Sequence, residues 1–200
     1  MTIEELHQKL QQSGPIIIEL GCGPYKAPGS IGIDRLPLDN VDFVVDLEQG
    51  LPFLPDHSVD EVHSRHFLEH VGAFEFLMRE VHRVLKPGGK QIAAVPHFSN
   101  PHYYSDCTHR RFFGLYSFDY FSKPEHQLRR KVPSYYVDFH FQVTKRRLVF
   151  NSIYPIRHKI KQVLQWIFNL NSYFQEWYEE CFCYRFPCQE IYFEMIKGGE

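Results

Sequence analysis

Two groups of residues in this 200-residue chain have the types and spacing to do chemistry. The first is Glu19-Leu20-Gly21-Cys22-Gly23, followed by Asp34 and Asp46. Glycines after an apolar run let a ligand come close to backbone N–H groups. Carboxylates beside that turn would repel a pyrophosphate but suit a sulfonium or ammonium group, ribose hydroxyls and an amine. Position 26 is lysine, so no G-x-G-x-x-G is completed, and the seven residues between Gly23 and Ile31 leave little room for the crossover helix of a dinucleotide fold.

The second group lies between Pro96 and Arg111, where three histidines, an aspartate and two arginines are crowded together. Neutral imidazole can deprotonate a hydroxyl near pH 7, and an aspartate can fix its tautomer. His97 is the first candidate base and His109, oriented by Asp106, the second. If this segment were helical, His102, Asp106 and His109 would share a face suited to a divalent ion. Nothing local fixes a helix there, and no metal is expected. Phe98, Tyr103, Tyr104, Phe112, Phe113 and Tyr116 would wall the acceptor, with Arg110 and Arg111 available to phosphate or carboxylate.

These groups need elements to position them. Thr2-Ile3-Glu4-Glu5 is a capping box, predicting a short helix to about Gln12 that stops at Ser13-Gly14-Pro15. Residues 16–20, 30–34, 43–46, 59–63 and 91–95 read as strands, and 73–85 carries the 3.6 period of an amphipathic helix closed by Lys86-Pro87-Gly88-Gly89. Residues 97–136 form an irregular aromatic loop on the acceptor side. Residues 137–150 read as a long strand, 156–178 as one helix and 191–196 as a closing strand. Strands alternating with helices predict an α/β domain whose ligands sit at the carboxyl ends of the strands. The organisation expected is one domain, with a cofactor half at 1–96, the loop at 97–136, and closing strands with an inserted helix at 137–200.

Composition excludes several classes. At 44% hydrophobic and 23% charged, the chain is neither disordered nor fibrous, and no apolar run approaches a bilayer span. The charged, helical N-terminus differs from a signal peptide, so a cytoplasmic location is expected. Cys22, Cys107, Cys181, Cys183 and Cys188 match neither a zinc pair nor a disulfide framework, which predicts free thiols. The net charge of −2 conceals residues 108–161, where 12 basic side chains face three acidic ones. Such a stretch could meet an anionic substrate, a nucleic-acid backbone or lipid.

The ordered set Ile18-Glu19-Leu20-Gly21-Cys22-Gly23, Ile33-Asp34, Asp46-Leu47, Leu51-Pro52-Phe53, Ser58-Val59-Asp60, Leu68-Glu69-His70 and Arg83-Val84-Leu85-Lys86-Pro87-Gly88-Gly89 resembles the class I S-adenosylmethionine-dependent methyltransferases, specifically their small single-domain branch. The resemblance implies a Rossmann-like, seven-stranded, mainly parallel sheet with its last strand antiparallel. It places Glu19, Gly21, Cys22 and Gly23 near the methionine moiety of S-adenosylmethionine, Asp34 with its neighbour Arg35 on the ribose, Asp46 and Leu47 at the adenine, and Ser64 and His66 along the cofactor. The activity expected is methyl transfer to an oxygen or nitrogen of a small acceptor, anionic ones included. Alternatives are an RNA or protein acceptor held by residues 108–161, although nucleic acid is the weaker expectation, or a non-catalytic cofactor-binding or membrane-associated subunit. The helix at 156–178 would serve as a lid, a core helix or a peripheral membrane contact.

Overall fold

The computed structural model describes residues 2–11 and 14–198. Helix α1 (Ile3–Leu10) starts with the capping box: Glu5 N–H donates to Thr2 Oγ1 and Thr2 N–H to Glu5 Oε2. The expected stop at Gln12 and Ser13 lies outside the described residues. One sheet contains β1 (Ile17–Leu20), β2 (Ile31–Asp34), β3 (Phe43–Val44), β4 (Val59–Arg65), β5 (Leu85–Pro96), β6 (Phe141–Val149) and β7 (Glu190–Lys197). Their order is β3-β2-β1-β4-β5-β7-β6, and β7 runs antiparallel to both its neighbours while β1 to β5 are parallel. Ile18, Leu20, Ile33, Val62 and Val95 are wholly or almost wholly buried, as strands covered on both faces require. No helix separates β1 from β2, in keeping with the short connection between them.

Several boundaries differ from expectation, each for a local reason. β3 ends at Val44 because Asp46 caps a 3-10 turn (Leu47–Gln49), its side chain accepting the Glu48 N–H. Helix α2 (Phe74–Val84) runs directly into β5, and residues 86–89 are absorbed as an irregularity in the β4–β5 pairing. The long strand at 137–150 shortens to β6, although Val137 and Phe139 keep the buried alternation that made them read as strand. The single helix at 156–178 is two helices, α3 (Pro155–Phe168) and α4 (Ser172–Cys181). Asn169 breaks it by turning its amide onto Leu148 of β6, and Asn171 caps α4 through the Phe174 N–H.

The aromatic segment is irregular but tightly held. Phe113, Phe118 and Phe121 gather around Phe74 of α2, which makes much of the aromatic excess ordinary core. The buried Gln127 amide donates to the Asp119, Ser122 and Val132 carbonyls, satisfying backbone that has no sheet to join. Buried Asp119 pairs with Arg146 of β6 and thereby fastens the segment to the sheet edge.

Candidate active site

The carboxyl edge of β1, β2 and β4 builds a cavity of about 260 Å³. Gly21 turns the chain there with φ +63°, and a Cβ would lie 2.2 Å from the Phe67 ring, so only glycine fits beneath Phe67. Asp34 organises the opposite wall: Gly23 N–H donates to its Oδ2 and Leu36 N–H to its Oδ1, both at 3.0 Å. Of the residues expected to hold a cofactor, Gly21, Asp34, Arg35, Asp46, Leu47 and His66 line this cavity, joined by Phe67, His70 and Thr108.

Glu19, Cys22, Gly23 and Ser64 are not part of that lining. The buried Glu19 carboxylate is engaged elsewhere, accepting the Ala27 N–H at 2.5 Å and the Ser30 hydroxyl at 3.2 Å, so it ties down the β1–β2 connection. The Cys22 thiol is buried, and desolvation pushes its pKa up to about 11. Gly23 acts through its N–H on Asp34. The buried Ser64 hydroxyl has no hydrogen-bond partner among the described residues.

His66, the residue after β4, has φ 49°, a left-handed conformation unusual for a residue carrying a Cβ. Its Nε2 lies 2.8 Å from Glu190 Oε2 and its Nδ1 3.5 Å from Glu69 Oε1. The hydrogen bond to Glu190 and the Glu69 carboxylate at ion-pair distance raise its pKa to about 9, so the ring is an imidazolium at neutral pH. Glu69 is wholly buried, and neither of its oxygens has a hydrogen-bond partner among the described residues.

His97 does not have the surroundings of a base. Its ring is fully buried, with Nδ1 accepting the Ser99 N–H (3.1 Å) and Nε2 facing Glu179 Oε2 (3.2 Å). Glu179 also accepts the Leu115 N–H, and Ser99 Oγ accepts the Cys188 N–H. With both ring nitrogens occupied, His97 fastens α4 and the aromatic loop to the end of β5. Strand-end position alone cannot reveal this, because the partner Glu179 lies 82 residues away.

A different titratable cluster reaches the cavity, through His70 and Thr108. His109 Nδ1 lies 2.9 Å from the Tyr103 carbonyl, which can only accept, so Nδ1 carries the proton. Asp106 accepts the Thr108 N–H and hydroxyl through Oδ1, at 2.8 and 2.6 Å, and its Oδ2 is 3.6 Å from His109 Nε2. Having donated to Asp106, the Thr108 hydroxyl accepts from His70 Nδ1 at 2.9 Å. His70 and His109 thus share Asp106, one through Thr108, and their rings are 4.8 Å apart. His70 follows Glu69 directly after a strand end, a signal visible in the sequence, whereas Thr108 gave none. His102 is exposed, and the segment after it is a 3-10 turn (Pro101–Ser105) leading to extended backbone at Asp106, so the one-face arrangement with Asp106 and His109 does not form.

Phe98, Phe112, Phe113, Tyr116, Arg110 and Arg111 line a second, more open cavity of about 880 Å³. Tyr103 is buried beneath the loop and donates to the Arg111 carbonyl, while Tyr104 is exposed. Arg111 is committed to the Val71 and Gly72 carbonyls and stacks on Phe74. Arg110 is exposed and lies 3.8 Å from Glu48, which borders the first cavity.

The same architecture occurs in solved structures. A S-adenosylmethionine-dependent methyltransferase from Archaeoglobus fulgidus superposes with a TM-score of 0.59 at 17% identity, over 98% of this chain and 95% of that one. The YcgJ protein of Bacillus subtilis gives 0.55 at 17% identity, over 99% and 98%. The strand order and these likenesses give the chain the fold of the class I S-adenosylmethionine-dependent methyltransferases. More narrowly, residues 30–93 match the model of a family described as a methyltransferase domain. Over 102 residues the chain is 33% identical to the ubiquinone/menaquinone biosynthesis C-methyltransferase of Shewanella oneidensis, a match taking in 51% of this chain and only 38% of that protein.

Proposed function

We propose that this chain transfers a methyl group from S-adenosylmethionine to an oxygen or nitrogen of a small acceptor. The observation that carries the reading is one cavity with the carboxylates of Asp34 and Asp46 on one side and His70 and Thr108 on the other. The donor set fits the cofactor: Asp34 would take ribose hydroxyls, Asp46 and Leu47 the adenine, and glycine at position 21 keeps the turn clear beneath Phe67. The bound cofactor supplies an electrophilic methyl on a sulfonium. This chain's own contribution is alignment, which alone can supply about 7–11 kcal/mol, and proton handling, typically worth 10²–10⁴-fold. With His97 buried in a structural network, proton handling falls to groups on the His70 and Thr108 side of the cavity. Arg35, exposed and lining the cavity, and Arg110 at its edge are cations suited to an anionic acceptor.

A nucleic-acid acceptor is disfavoured by how the basic stretch is used. Arg146, Lys145 and Arg129 are paired with Asp119, Glu194 and Glu176, and Arg111 is committed to backbone carbonyls. The expected outcome of calorimetry is 1:1 binding of S-adenosylhomocysteine, with radiolabelled methyl transfer to members of a panel of small hydroxyl and amine acceptors. No heat of binding at millimolar ligand would sink the reading.

One further observation supports peripheral contact with an anionic membrane. Among the described residues no helix is long and apolar enough to cross a bilayer. α3 nevertheless buries only Phe168 fully, packing Leu164 and Ile167 against the core and leaving Ile156, Ile160, Val163 and Trp166 exposed beside Arg157 and Lys159. Apolar side chains flanked by cations are the pattern of an interfacial helix. Co-sedimentation with phosphatidylserine vesicles should fall at least about fivefold in an Ile160→Glu/Trp166→Glu variant, each added charge opposing both terms of such binding. Equal pelleting of the two proteins would exclude the contact.

A further inference from the structure

We infer that Glu69, His70 and His109 form a binding site for a divalent transition-metal ion beside the cofactor cavity. One potential ligand atom from each of the three lies within 4.8 Å of those of the other two. Two ligands on a common first-row ion are about 3.3 Å apart in a tetrahedron and about 4.2 Å apart across an octahedron, so adjustments of about an ångström close the site.

Three independent features point the same way. The Glu69 carboxylate is wholly buried with no hydrogen bond among the described residues, and beyond the His66 ring that faces Oε1 a second cation would relieve the cost of leaving Oε2 bare. His66 at 3.5 Å from Glu69 Oε1 meets only one of its oxygens at ion-pair distance. Both histidines have the outer support that metal-binding imidazoles use: His109 Nδ1 faces the Tyr103 carbonyl, and His70 Nδ1 faces Thr108, which is itself held by Asp106. Those contacts leave Nε2 of each ring with the lone pair. The three ligands also come from two well-tethered segments, the turn after β4 and the loop at Asp106, joined by the Arg110 N–H donating to the Glu69 carbonyl at 2.8 Å.

Two imidazoles and one carboxylate select the manganese-to-zinc series over magnesium, which prefers oxygen ligands and water. Three protein ligands leave further coordination positions open. Resting on the methyl-transfer reading, those positions would take an oxygen donor of an acceptor bound in the cavity that His70 borders, fixing its orientation. The metal site itself does not depend on that reading.

The test is titration of the metal-stripped full-length chain with Co²⁺, read by its visible absorption and by calorimetry, with no methyl donor present. One equivalent should bind, and His70→Ala, His109→Ala and Glu69→Gln should each weaken it at least about tenfold. His102→Ala should leave it unchanged. His70 is only partly buried, so its variant tests the site even if Glu69→Gln fails to fold, and circular dichroism confirms folding in each case. No uptake of Co²⁺ by the wild type, binding by folded His70→Ala as tight as wild type, or loss of binding in His102→Ala would each overturn the proposal. S-adenosylhomocysteine calorimetry on the same stripped protein separates the two readings, because it tests the cofactor cavity without the metal.

Discussion

Arg146→Ala is expected to destabilise the protein by about 3–5 kcal/mol, the cost of stranding a buried charge. Arg146 is 7% exposed and Asp119 is fully buried, and the guanidinium pairs with Asp119 Oδ1 while its Nε donates to the Leu115 carbonyl at 3.2 Å. Burial pushes the Asp119 carboxyl up and the Arg146 guanidinium down, each towards its neutral form, so neither is comfortable without the other. Removing the arginine leaves a carboxylate whose other contact is the Leu128 N–H at 3.4 Å. For a domain of this size the midpoint should fall by about 6–20 °C in a thermal melt followed by circular dichroism. Replacing both partners with Arg146→Met and Asp119→Leu should recover most of the loss, because an apolar pair of similar volume avoids the desolvation cost. A single variant melting within 2 °C of wild type would show that the pair is not a fastening point.

Much of the fold was legible because its signals are local. The run from Ile17 to Leu20, the turn at Gly21 and the acids at Asp34 and Asp46 all act within a few residues of themselves, and the edge of the first cavity assembles from them. What escaped was set by partners distant in the chain. The pattern from Ile156 to Tyr178 is apolar at helical spacing, yet Asn169 finds Leu148 and ends α3. His97 stands where a base would stand, but Glu179 and Ser99 occupy both nitrogens. Conversely, the expected partner of His109 was Asp106 alone, whereas the fold adds Glu69 and His70 from the end of β4, about 40 positions earlier. Within the basic stretch, sequence counts cannot see Glu176 and Glu194 arriving from elsewhere to pair with Arg129 and Lys145.

The sharpest test of the cofactor edge is Asp34→Ala, which should weaken S-adenosylhomocysteine binding by about 30–150-fold. A carboxylate that accepts ribose hydroxyls makes hydrogen bonds to a charged group, worth about 1.5–3 kcal/mol each, so losing them costs roughly 2–3 kcal/mol after water replaces part of the interaction. The same carboxylate accepts the Gly23 and Leu36 N–H groups, so the alanine variant also loosens the walls beside Gly21. Asp34→Asn separates these contributions. It keeps one carbonyl oxygen for the loop or the ligand but loses the charge, and an intermediate loss of about tenfold follows if the charge-assisted part dominates. Glu19→Gln provides the contrast: Glu19 spends its carboxylate on the Ala27 N–H and the Ser30 hydroxyl, so its variant should bind the ligand within about threefold of wild type while melting lower. Equal affinity in Asp34→Ala and wild type would remove the ribose role from Asp34. A loss at Glu19 as large as that at Asp34 would instead place the ligand against the β1–β2 connection, where Glu19 is buried.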